Sequence, residues 1–174
     1  MKPLFVILLF IALVFLFLKR RRSKWNPIDN IHFGGTMGFL LGDKYEFCLS
    51  RLKHLNIPID SNDYDDENKL MTESRWGYDV TFGKDFYNNI KEVRFSFKDK
   101  ILESIAIEID YSEYGIKDMY GILVSRLSKV LGKDPKLCTN DFAKWPSRKG
   151  DITLSIFNFD LSKTEILSIQ ILRH

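Results

Sequence analysis

The stretch "ILESIAIEI" at residues 101–109 decides how this chain is read, because a close echo of it, "EILSIQIL", returns at residues 165–172. In the first, Ile105, Ile107 and Ile109 fall on every second position. A period of two is the signature of a strand with one face buried. Just upstream, Val93, Phe95 and Phe97 alternate in the same way, and Lys98-Asp99-Lys100 supplies a turn. The two runs therefore read as a hairpin. Further upstream, Trp76, Tyr78, Val80 and Phe82 give another strand signal.

Helical spacing flanks these strands. Tyr45, Cys48, Leu49, Leu52 and Leu55 recur at intervals of three and four, and Asp43 with Glu46 resembles a capping box. Asn56 and Pro58 stop that helix, and residues 56–72, with "DSNDYDDEN", read as a polar loop. A second helical stripe joins Ile116, Met119, Tyr120, Leu123, Leu127, Val130 and Leu131. Gly132 and Pro135 end it in the order expected past a helix C-terminus. Strand signals follow near "FAKWPS", in "DITLSIFNF" and in "EILSIQILR".

The order helix, loop, Trp-containing strand, strand, turn, strand thus occurs twice, with Trp76 and Trp145 in corresponding places 69 residues apart. The predicted fold class is α+β: two αβββ units whose strands join in one antiparallel sheet, with both helices on one face. The halves are about 31–110 and 111–174. A lone hairpin is marginal in water, so the strands must share a sheet and bury one side.

This order of elements over residues 31–174, with the paired "IL–SI–I" strands and the two Trp, resembles tandem modules of the β-lactamase-inhibitor-protein type and related small lipoproteins of outer-membrane assembly. The resemblance implies a binding module. Neither Cys48 nor Cys138 stands where those lipoproteins carry their lipid-modified cysteine.

Residues 1–22 read differently. "PLFVILLFIALVFLFL", 3–18, holds no polar residue and is followed by Lys19, Arg20, Arg21, Arg22 and Lys24. There is no small-residue cleavage site of the signal-peptide kind. The expectation is an N-terminal transmembrane helix, a signal anchor in membrane lipid through residues 3–18. Sixteen helical residues span about 24 Å against a hydrocarbon core of roughly 30 Å. The basic flank predicts a single-pass protein of a bacterial inner membrane with its C-terminal domain in the cytoplasm. Residues 23–30 read as a linker.

Six of the 26 Lys and Arg lie within residues 1–25, which hold no Asp or Glu, so the rest of the chain has 20 basic and 23 acidic residues and a net charge of −3. That balance disfavours nucleic acid as a partner. The two cysteines form no disulfide framework and are expected unpaired. "GGTMG" at 34–38 and "GDK" at 42–44 lack the Gly-Lys-Ser/Thr of a phosphate loop. The acidic loop with Asp63, Asp65 and Asp66 fits no EF-hand register. His32, His54 and His174 have no His or Cys at metal-ligand spacing.

No cofactor and no catalytic residues are expected. The candidate binding residues are Trp76, Tyr78 and Trp145, because Trp and Tyr dominate binding hot spots, together with Asp63, Asp65 and Asp66. The same aromatics would serve equally as core. The reading is a membrane-anchored, non-enzymatic domain that binds an unknown protein partner, in the manner of an immunity protein or inhibitor. The alternative is an extracytoplasmic factor in envelope assembly or maintenance.

Overall fold

The computed structural model describes residues 7, 9–11, 26–62, 78–83, 89–159 and 164–173. In chain order come β1 (Gly35–Thr36), β2 (Phe39–Leu40), α1 (Tyr45–His54), β3 (Ile59–Asn62), β4 (Tyr78–Phe82), β5 (Ile90–Lys98) and β6 (Ile101–Ile109). Then follow α2 (Ile116–Leu131), β7 (Leu137–Cys138), β8 (Phe142–Trp145), β9 (Asp151–Phe159) and β10 (Thr164–Leu172).

β1 and β2 form a small hairpin; the other eight strands form one antiparallel sheet in the order β3-β4-β5-β6-β10-β9-β8-β7. Read inwards from either edge, that order is the same: β3 answers β7, β4 answers β8, β5 answers β9, and β6 meets β10 at the centre. The two echoing stretches of sequence are the central neighbours, with Ile105, Ile107 and Ile109 opposite Ile171, Ile169 and Leu167.

A fourth, edge strand in each half corrects the expectation of three strands per unit. β3 and β7 are too short and too polar to announce themselves by alternation; both residues of β7, and Ile59–Ser61 of β3, are exposed. β3 also takes up the start of the segment expected to be a loop.

The anchor is corrected as well. Among the described residues no helix is long and apolar enough to cross a membrane. Ile7 and residues 9–11 are helical and exposed. A spanning helix needs about 20 apolar residues, and the run at 3–18 falls short of that. The transmembrane helix, the signal anchor and the single-pass inner-membrane placement with a cytoplasmic C-terminal domain are therefore not what this structure supports. Lys19, Arg20, Arg21, Arg22 and Lys24 lie outside the described residues.

Residues 26–30, expected to be linker, are instead tied into the domain. The Asn26 side chain accepts from the Ile28 amide at 2.9 Å and its carbonyl accepts from Asn30 at 2.7 Å. This turn buries Ile28, and Arg126 of α2 donates to Asp29 at 2.9 Å.

Both helices lie on the apolar face of the sheet. α1 buries Tyr45, Cys48 and Leu52; the Tyr45 ring meets Phe97 edge-on at 5.4 Å between centroids. Its start is fixed by the β5–β6 turn rather than by the expected capping box: the Tyr45 amide donates to Lys100 O at 2.9 Å. The N-cap is Lys44, without a side-chain cap, and Asp43 accepts from the Leu40 amide instead. α2 buries Ile116, Met119, Tyr120, Leu123 and Leu127. It ends at Gly132 in the left-handed conformation, φ 68°, which a residue without Cβ adopts at no steric cost.

Candidate functional site

In a strand successive side chains point to opposite faces. The buried residues Val93, Phe95, Ile105, Ile107, Leu167, Ile169, Ile152 and Leu154 all turn towards the helices. Their neighbours turn the other way and build a second face, on which no helix of the described residues packs. The register sets out its rows. Arg94, Ala106, Gln170, Thr153 and Lys144 lie side by side across five strands. Ser96 faces Ser104, and Glu108, Ser168, Ser155 and Phe142 form a further row.

This face is therefore small and hydroxylic at its centre. Ser96, Ser104, Ala106, Ser168, Thr153 and Ser155 hold no bulky side chain; Ser168 and Thr153 are buried and the other four half-buried. At one end half-buried Phe142, and Phe157 paired with Ile166, add apolar surface.

Charge is arranged at either side. On β4–β5, Arg94 contacts Glu92 at 2.6 Å and Asp79 at 4.0 Å, and Lys91 reaches Glu108 at 2.5 Å. Burial works against the Arg94 cation, but the hydrogen bond to Glu92 and the surrounding carboxylates outweigh it and raise its pKa. The hydrogen bond from Lys91 to Glu108 likewise raises the lysine above its ordinary value. On β8–β9, Lys144 pairs with buried Asp151 at 2.5 Å. The ion pairs satisfy each other and leave the centre uncharged.

Of the residues singled out from sequence, the structure describes Trp145 and Tyr78. Trp145 is fully buried at the end of β8, and its indole N–H donates to Lys133 O at 3.1 Å. It is a core residue with a satisfied polar handle. Its structural counterpart is Phe82, the last residue of β4, also fully buried. Trp76, which sequence spacing had matched to it, lies outside the described residues, as do Asp63, Asp65 and Asp66. Tyr78 opens β4 opposite Phe97. The face described above was missed because attention went to the apolar beat of each strand; the Ser and Thr on the off-beat were the legible signal.

Reactive groups do not converge here. Both cysteines are free, Cys48 buried and Cys138 exposed. The Tyr120 hydroxyl donates to Thr139 O at 3.0 Å and lies 4.0 Å from the Cys138 sulfur. Burial, then the neighbouring Cys138, push the Tyr120 pKa upward. His32 and His54 are exposed and separate from these groups. Among the described residues no group of three or more His, Cys, Asp or Glu could hold a metal ion.

Comparison with protein-family models, curated proteins and solved structures finds no match to this chain.

Proposed function

We propose that this protein is a non-enzymatic interaction module, of the inhibitor or immunity type, whose protein partner docks on the open face of the sheet. The observation that carries the reading is the asymmetry of the eight-stranded sheet. One face is packed by α1, α2 and the β1–β2 hairpin, and the other sets small hydroxylic side chains, buried at Thr153 and Ser168 and half-buried at Ser96, Ser104 and Ser155, beside half-buried Phe142, Phe157 and Ile166. Small side chains let a partner approach the backbone closely, and the apolar end supplies the burial that gives an interface its affinity. The flanking ion pairs fix orientation more than they add strength.

The test is site-specific photocrosslinking in the native host. A photoreactive residue at Gln170 or Ser104 is expected to give one discrete protein adduct, and the same residue at Lys117 or Lys129 on exposed α2 positions none. Adducts from α2 and not from the sheet, or the same adducts from both, would overturn the reading.

A further inference from the structure

Away from the open face, the β1–β2 hairpin and the turn between β8 and β9 enclose an open groove of about 560 Å3, lined by His32, Phe33, Ser147, Arg148 and Lys149. From its composition and build we infer that this groove binds an acidic peptide segment of a partner protein, one bearing carboxylates next to an apolar side chain.

Three observations lead there. The first is charge. Arg148 and Lys149 project from adjacent positions of an exposed turn, and among the described residues neither side chain has an ion-pair partner. Most cations of the neighbouring sheet are matched: Lys91, Arg94, Lys144 and Arg173 all hold carboxylates. His32 adds an imidazole to the rim. In a body whose net charge is −3, this is a local reversal of sign.

The second is the floor. Phe33 is half-buried against the core, and Lys133 Nζ sits 4.2 Å from its ring centroid. An aromatic floor beside cationic walls suits a ligand that is part apolar and part anionic; a bare inorganic anion would leave the ring unused. A nucleic acid strand would lay many phosphates along an acidic body and be repelled beyond the groove.

The third is rigidity. Lys133 Nζ donates to Pro146 O at 2.7 Å, which ties the C-terminal end of α2 to the turn. The buried Asp151 carboxylate accepts from the Ser147 amide at 3.3 Å, and Ser147 Oγ accepts from the Lys149 amide at 3.2 Å. On the opposite wall Gly34, at φ +94°, comes so close that an added Cβ would lie 3.1 Å from the Lys149 carbonyl oxygen. The walls are thus held in place before any ligand arrives, which lowers the ordering cost of binding.

Anisotropy of the full-length protein with a fluorescein-labelled hexapeptide of alternating Glu and Leu tests the inference. Saturable binding is expected that weakens with added salt and drops about tenfold in the Arg148→Ala/Lys149→Ala double variant, the loss of a pair of exposed charge contacts. Both positions are exposed, so the fold should survive, and far-UV circular dichroism checks this. Phe33→Leu, which keeps the burial and removes the ring, should weaken binding by a smaller factor with the salt dependence unchanged. The inference is overturned if a Gln/Leu hexapeptide binds as well, if the folded double variant binds undiminished, or if oligothymidylate or inorganic phosphate binds more tightly than the acidic peptide. These outcomes are separate from the crosslinking result at Gln170, so either reading can fail alone.

Discussion

The two halves of the sheet share a topology and differ in what fills it. Beside α1 the core is aromatic: Phe95 meets Phe39 at 4.9 Å, Phe82 at 4.6 Å and Phe97 at 6.4 Å between centroids, each edge-on. Beside α2 it is mostly aliphatic, built from Leu123, Leu127, Ile152, Leu154, Leu167, Ile169 and Ile171 with the rings of Trp145 and Tyr120. The helices explain the contrast. α2 has 16 residues, whereas α1 has 10. The shorter helix leaves a gap that the β1–β2 hairpin closes with buried Met37 and Phe39. Large rings reach across the space that a longer helix would have filled. One arrangement of strands thus tolerates two packing solutions provided volume and pattern are kept.

The largest effect should come from the seam where the halves meet. Ile169→Asp places an unpaired carboxylate between Ile107 and Leu154, both fully buried. A cost above about 4 kcal/mol is expected, and urea denaturation should show both halves lost in one transition. Survival of either half alone would show that the seam does not couple them.

Next come the matched core positions Phe95 and Leu154. Phe95→Ala should cost about 3–5 kcal/mol and Leu154→Ala about 2–5 kcal/mol. Phe95 should be the more costly of the two because its ring contacts are lost as well. Phe95→Leu sharpens this: a loss of about 1 kcal/mol beyond the change in apolar area would assign that amount to the edge-on contacts. Equal values at the two sites would make the aromatic core a matter of volume alone.

The thiols give a smaller, chemical contrast. Burial, with the Asp43 charge adding to it and Arg51 opposing, pushes Cys48 from 9.0 up to about 12. Ellman's reagent at pH 8 should count one reactive thiol in the native protein, Cys138, and two after denaturation. Because the folded state holds the Cys48 proton more tightly, its contribution to stability is complete below pH 9 and is lost as pH rises towards 12. Cys48→Ala should remove that alkaline component from the pH profile, whatever its cost at neutral pH.

The smallest effect concerns the β5–β6 turn. Asp99 and Lys100 both have positive φ, 51° and 61°, a geometry that favours Asn-Gly or Asp-Gly. Lys100→Gly should raise stability by about 0.5 kcal/mol, because relief of the left-handed strain exceeds the added chain entropy. The lost contact to Glu46, between two exposed groups, is worth little. A measured loss would show that this pair anchors α1 to the turn.

Much of this architecture was legible in residues. The alternation of Ile105, Ile107 and Ile109 marked a half-buried strand, and Gly132 marked the end of α2, because a strict period and a left-handed cap are local properties. The edge strands were not legible: Ile59–Asn62 and Leu137–Cys138 are strands only because a neighbour offers them a ladder. The matching of Trp76 to Trp145 failed to foresee Phe82 as the true counterpart, since pairing register decides which residue holds that buried strand end, and either ring can fill it. The apolar run at 3–18 misled because its hydropathy and basic flank were given more weight than its length, 16 residues against the roughly 20 that a span needs. The open face and the basic groove arise from residues distant in sequence, and only pairing register and tertiary contact bring them together.

The meeting of β6 with β10 has a consequence for synthesis. Every strand of the first half is translated before α2, yet the Ile-rich rim of β6 finds its mate only in β10, made after α2 and β7–β9. Until then a nascent chain carries an unshielded sheet margin, the kind of surface that recruits chaperones or pairs with a second nascent copy. A ribosome stalled short of residue 164 should therefore hold a sticky half-sheet, and emergence of β10 should quench it.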